Sequence, residues 1–229
     1  MKLSRRLEMV ASMADPGCTV ADVGTDHAYV PIWLVEQKVA AFAFAMDVRP
    51  GPLERAKNHI AGCRLQDKIT TRLSDGVEKL SPGEADTVII AGMGGELIIH
   101  IMDEGRHVWD SVKTWILSPQ SELFKVRHFL ENEGFSIICE DMVCEDGKYY
   151  TAMKVVRGRM ELQKPAYYLY GKYLAEIKHP VLREYLEKEK LLCEKILDQM
   201  DRSSAAGSAA RKQELIEKLK WIEEIQHEM

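Results

Sequence analysis

Val20-Ala-Asp-Val-Gly-Thr-Asp-His-Ala-Tyr-Val-Pro31 is the stretch on which the fold turns. Its first half continues Cys18-Thr19 as a short apolar run ending near Asp22 and reads as a buried strand. Its second half leads into a helical pattern from Pro31 to Gln37. Between the two the chain must turn tightly, and Gly24 suits a turn where a ligand comes close to the backbone. Open α/β sheets bind ligands at the carboxyl ends of their strands, where such a turn would lie. An ordinary strand-to-helix turn explains the same residues. Thr25 and Asp26 follow Gly24 where a GxGxxG fingerprint would carry glycine, which weighs against NAD or FAD.

Outward from this turn the pattern repeats. Leu3, Leu7, Val10 and Met13 predict a helix over 3–13, with Ser4 as its cap and Asp15-Pro16-Gly17 as its stop. Downstream, strands are predicted at Ala40–Asp47, Lys68–Leu73, Thr87–Ala91 and Thr114–Leu117. Helices fit at Pro52–Ile60, 95–104 and 121–133. Short apolar strands alternating with helices imply a parallel sheet covered on both faces. Two late β-rich runs, Phe135–Cys139 and Tyr149–Val156, flank a turn at Glu145-Asp-Gly-Lys148. They fit a Rossmann-like α/β sheet of seven strands whose last strand inserts antiparallel.

After Lys164 the composition changes. Tyr167–Ile177 reads as helical, and His179-Pro180 interrupts it. Two apolar stripes follow, Leu182 to Leu197 and Leu215 to Ile225, separated by Ser203-Ser-Ala-Ala-Gly-Ser208. They predict a charged helical hairpin, coiled-coil-like but with too few heptads for a long coiled coil. The expected division is a catalytic domain over 1–160 and a helical hairpin over 161–229.

Composition excludes several classes. No apolar stretch is long enough to span a membrane, and the start Met1-Lys-Leu-Ser-Arg-Arg6 carries no signal sequence, so a cytoplasmic location is expected. Cys18, Cys63, Cys139, Cys144 and Cys193 form no CxxC pair and no metal-ligand cluster, so free thiols and no metal are expected. The net charge of −5 does not by itself suggest a nucleic-acid binder. Its distribution leaves room for one, since Arg49–Arg72 and Lys154–Lys172 are locally basic. Solvated surface charge is the plainer explanation of both stretches.

Four strand ends carry candidate chemistry. The first is the turn at Asp22, Gly24 and Asp26. The second is Asp47, which can accept from ribose hydroxyls or simply cap a helix or pair with Arg49. The third is Ser74-Asp75-Gly76, able to hold an adenine amino group or to form a turn. The fourth is Ala91-Gly92-Met93-Gly94-Gly95, which gives close backbone access or a plain helix entry.

Their order resembles class I methyltransferases that use S-adenosylmethionine. More narrowly, Asp22-Val-Gly-Thr-Asp-His-Ala-Tyr-Val-Pro31, Ser74-Asp-Gly76, Ala91-Gly-Met-Gly-Gly95 and Leu117-Ser-Pro-Gln120 resemble the bacterial tRNA (adenine-22-N1)-methyltransferase family. The resemblance covers nearly the whole chain. Ser118-Pro-Gln120 departs from the Gln-Pro-Asn-like string associated with that family. The resemblance implies S-adenosylmethionine as cofactor and tRNA as partner. It implies a cofactor site over Asp22, Gly24, Asp26, His27, Asp47, Asp75, Gly76, Gly92, Met93 and Gly94. It also implies that Asp26, His27 and Tyr29 face the cofactor or the target base. A loop histidine bonded to backbone and a tyrosine packed under the loop are the plain alternatives for His27 and Tyr29. A methyltransferase acting on a small molecule or protein, and a non-enzymatic nucleotide-binding module, are the competing functions.

Overall fold

In a computed structural model, residues 1–202 and 209–229 are described. Five strands run parallel: β1 (Cys18–Val23), β2 (Ala40–Asp47), β3 (Ile69–Leu73), β4 (Thr87–Met93) and β5 (Thr114–Pro119). β6 (Phe135–Glu145) and β7 (Lys148–Arg157) complete the sheet in the order β3-β2-β1-β4-β5-β7-β6. β7 inserts antiparallel between β5 and β6, as the sequence predicts. The chain moves outward from β1 to β3 and then returns to β4 on the other side of β1. That reversal opens a crevice at the carboxyl ends of β1 and β4, where ligands bind in such sheets.

The strands alternate between two cores. Val20, Ala45, Ile89 and Ile116 face one way, toward α1 (Arg5–Ser12), α2 (Tyr29–Glu36) and α3 (Pro50–Gly62). Ala21, Val23, Met46, Ile90 and Leu117 face the other, toward α4 (Gly95–Glu104) and α5 (Leu123–Asn132). With both faces covered, the strands read as unbroken apolar runs. Ser4 caps α1, its hydroxyl accepting from the Leu7 amide.

Several element boundaries differ from the sequence reading, most by one or two residues, and three of the differences have a plain cause. α2 begins at Tyr29, because Ala28 takes a left-handed φ of 57° and closes the turn early. Pro31 then occupies the first helical turn, where an amide has no intrahelical acceptor and its absence costs little. β6 runs on to Glu145, through a register shift between Ile137 and Cys139. Asp146 and Gly147, at φ 50° and 73°, form the tight turn to β7. The Tyr167–Ile177 run is two short helices, α6 (Pro165–Tyr170) and α7 (Lys172–Glu176), broken at Gly171 with φ 91°.

The chain divides into two compact units, Met1–Glu161 and Leu162–Met229. The second holds α6, α7, α8 (Pro180–Arg202) and α9 (Ala209–Glu228). Asp201 pairs with Lys212, and Lys190 with Glu223, so α8 and α9 run antiparallel as a hairpin. Leu182, Leu186 and Cys193 on α8 and Leu215, Ile222 and Ile225 on α9 are buried. The expected turn at Ser203–Ser208 lies outside the described residues.

Candidate active site

The crevice is a cavity of about 400 Å³, within the usual range for small-molecule sites, roughly 300–1,000 Å³. Gly24, Asp26, Asp47, Asp75, Gly76, Gly92 and Met93 all line it, together with Val48, Arg49 and Leu97. The sheet register brings the strand ends together: Val23 lies opposite Met46, and Asp47 opposite Leu73.

The Gly24 and Thr25 amides both donate to the Met46 carbonyl, at 2.8 and 2.9 Å, and draw the loop onto β2. Gly24 has φ +75°, and a Cβ there would strike the terminal methyl of Met93. The left-handed φ favours glycine here, and any larger side chain would also have to displace the Met93 methyl. Asp47 is 6% exposed. Its Oδ1 accepts from the Arg49 amide at 2.9 Å, while Oδ2 has no hydrogen-bond partner among the described residues. That oxygen can accept from a ligand hydroxyl. The Ser74 hydroxyl donates to the Gly76 carbonyl at 3.1 Å and accepts from the Lys79 amide at 3.2 Å, fixing the turn that presents exposed Asp75. Val48 and Leu97 give apolar walls although both are half exposed.

Three residues of the expected cofactor set, Asp22, His27 and Gly94, do not line the cavity, and neither does Tyr29. Asp22 is buried behind the loop. Burial pushes its carboxyl up to about 6, and the nearby charge of Asp47 adds to the rise. The Thr25 hydroxyl opposes it, although that buried hydroxyl makes no hydrogen bond of normal geometry. Gly94 stands at the N-cap of α4, and a Cβ on it would lie 3.2 Å from the Ser121 hydroxyl. His27 and Tyr29 stand outside the lining, next along the chain to Asp26.

They are nonetheless organised. Their rings stack with centroids 5.3 Å apart. His59 of α3 meets Tyr29 edge-on at 5.2 Å and donates from Nδ1 to the His27 carbonyl at 2.8 Å. Asp26 accepts from Arg55 at 2.7 Å, and its other oxygen lies 3.7 Å from His27 Nε2. Sequence reading missed Arg55 and His59 as a unit. Their spacing of four on a helix that opens with proline was the available signal. Among the described residues, no group of three His, Cys, Asp or Glu could hold a metal, and no helix is long and apolar enough to cross a membrane.

The profile of the Methyltransferase domain family matches residues 3–153. The tRNA (adenine(22)-N(1))-methyltransferase of Bacillus subtilis (strain 168) is 33% identical over 233 residues, spanning 98% of this chain and 97% of that protein. The chain belongs to the tRNA (adenine(22)-N1)-methyltransferase family. Solved structures agree with this family assignment. Sp1610 of Streptococcus pneumoniae, in complex with S-adenosyl-L-methionine, is 33% identical with a TM-score of 0.87, covering 98% of this chain and 99% of that one. TrmK of M. capricolum, in complex with S-adenosyl-homocysteine, is 25% identical with a TM-score of 0.84, covering 99% of both chains.

Proposed function

We propose that this chain transfers a methyl group from S-adenosylmethionine to N1 of an adenine in tRNA, at position 22 by family membership. The observation that carries this reading is the end-to-end match to a tRNA methyltransferase, which includes both the sheet and the helical hairpin.

The cavity suits the cofactor. The unpaired Asp47 oxygen faces a site for ribose hydroxyls, Asp75 can accept from an adenine amine, and Val48 and Leu97 offer apolar surface to its ring. Bound there, S-adenosylmethionine supplies an electrophilic methyl group on a sulfonium sulfur. The chain's task is then to bring the acceptor into line with it. The segment Gly92–Gly95 supplies no side chain able to accept from an exocyclic amine. Adenine N1 needs none, since it already presents a lone pair. Its attack forms the N–C bond as the C–S bond breaks, and the positive charge passes from sulfur to the base. Asp26, His27 and Tyr29 serve as the platform on which an extruded base is oriented, as aromatic rings do for unstacked bases. None of them acts as a strong base. The hairpin unit binds the RNA, and a tRNA substrate places the enzyme in the cytoplasm.

The test is mass spectrometry of nucleosides from tRNA incubated with protein and cofactor. N1-methyladenosine is expected. N6-methyladenosine as the direct product, or label in protein or small molecules but not in tRNA, refutes the reading. A chain ending at Glu161 is expected to keep cofactor binding and lose most tRNA affinity; full tRNA methylation by it would remove the hairpin from recognition.

A further inference from the structure

At Gly92, itself part of the cavity lining, two groups from outside that lining come close. Gly92 has φ +80°, and the direction its missing side chain would take leads to two groups: Arg6 Nη1 and Gln120 Nε2, each 3.9 Å from the Cβ position. Neither belongs to the cavity lining. Arg6 comes from α1 and Gln120 follows β5, so parts of the chain 114 positions apart meet over one glycine.

Arg6 differs from the other arginines around the crevice. Arg55 is neutralised by Asp26 at 2.7 Å, and Arg49 stands 3.9 Å from Asp47. Arg6 has no carboxylate partner among the described residues, yet it is held in place. Its guanidinium lies over the Tyr150 ring at 5.0 Å from the centroid. A guanidinium held over a ring can still donate from its N–H groups.

We propose that Arg6, assisted by Gln120, is the phosphate anchor for the target nucleotide on the acceptor side of the crevice. This rests on the tRNA-methylating reading above and adds the group that holds the substrate backbone there. A guanidinium carries five donors and no acceptor, in a fork that matches two phosphate oxygens. The base itself is the poorer partner, because a donor aimed at N1 would occupy the lone pair that must attack the methyl group. A phosphate contact positions the nucleotide and leaves the base edge free.

Arg6→Gln removes the charge at similar length; Arg6→Lys keeps the charge and loses the fork. Each is compared with the unaltered enzyme for tRNA affinity over a range of salt, for cofactor affinity and for single-turnover methylation at saturating tRNA. For Arg6→Gln, tRNA affinity is expected to fall about tenfold at low salt, and the slope of log affinity against log salt to shrink by about 1. Cofactor affinity and the saturated rate stay within twofold, and Arg6→Lys recovers most of the affinity. An unchanged slope in both variants overturns the proposal. So does a fallen single-turnover rate with tRNA affinity intact, which makes Arg6 a group acting on the base, and so does a fallen cofactor affinity, which makes it structural. If the unaltered enzyme does not methylate tRNA, the functional reading fails first. If it does and Arg6→Gln keeps its slope, only the anchor fails.

Discussion

The residues proposed to hold the cofactor and those proposed to meet the acceptor are built into the fold differently. Gly24, Asp47, Asp75 and Gly92 each sit at or within two positions of a strand end, and the register of one parallel sheet aligns them. Arg6, Tyr29, His59 and Gln120 come from three helices and from the segment after β5. Tyr29 meets His59, and Arg6 and Gln120 both approach Gly92, because α1, α2 and α3 pack on one face of that sheet. A wall made by register is fixed by backbone hydrogen bonds. A wall made by helix packing depends on how several side chains settle against one another. Substitutions in the first should therefore act on cofactor binding, and substitutions in the second on RNA.

The largest effect is expected at Gly24. A β-branched side chain at φ +75° is strained and also meets Met93. Gly24→Val should weaken cofactor binding by about 100-fold or more, read by calorimetry on a protein shown by its melting curve to be folded. Affinity within threefold of the original would show that the loop does not need its glycine.

Asp22 probes the underside of the same wall. Its folded-state pKa of about 6 lies above the ordinary carboxylate value of 3.8. The folded state therefore binds more protons than the unfolded state between these values. Stability falls as pH rises from about 4 to about 6 and then levels off. With each pKa unit equivalent to about 1.4 kcal/mol, the group costs about 2–3 kcal/mol above pH 6. Asp22→Asn should lack this fall in denaturant midpoints between pH 4 and 7.5. Parallel curves for the two proteins would mean that Asp22 titrates normally.

Asp47→Ala removes a carboxylate acceptor. Charge-assisted hydrogen bonds contribute about 1.5–3 kcal/mol each, so cofactor affinity should fall at least about tenfold while the fold survives. Unchanged affinity would take Asp47 out of the site.

The smallest effect is expected at His59, on the other wall. Losing its bond to the His27 carbonyl costs about 1 kcal/mol, or about fivefold in kcat/KM for tRNA, with cofactor affinity unchanged. Asparagine can return an N–H toward that carbonyl, so His59→Asn should recover part of the loss. A drop in cofactor affinity instead would erase the distinction between the walls.

The same division separates what was legible in the sequence from what was not. β2 and α4 match their predicted limits because unbroken apolar runs and a periodic stripe mark them directly. Asp47, Asp75 and Gly92 could be placed at the crevice from strand ends alone. Gly94 could not be told from Gly92 by composition, since only the folded chain shows that Gly92 lines the cavity and Gly94 sits at the N-cap of α4. Arg6, Arg55 and His59 carried no local signal strong enough to join them to Asp26 and Gly92. Their partners lie 29 to 86 positions away, as Arg55 does from Asp26 and Arg6 from Gly92.

The insertion of β7 between β5 and β6 also sets an order of assembly. During synthesis β6 emerges before β7, yet the free edge of β5 accepts β7 and not β6. β6 thus has no place in the growing sheet until the Asp146-Gly147 turn brings β7 back along it. Hairpins close in microseconds, far faster than a large parallel sheet forms, so the pair should dock onto β5 as a finished unit. Pulse-labelled hydrogen exchange during refolding should find the β6–β7 amides protected together and no later than those joining β5 to β7. Protection at β5–β7 ahead of the hairpin would reverse this order.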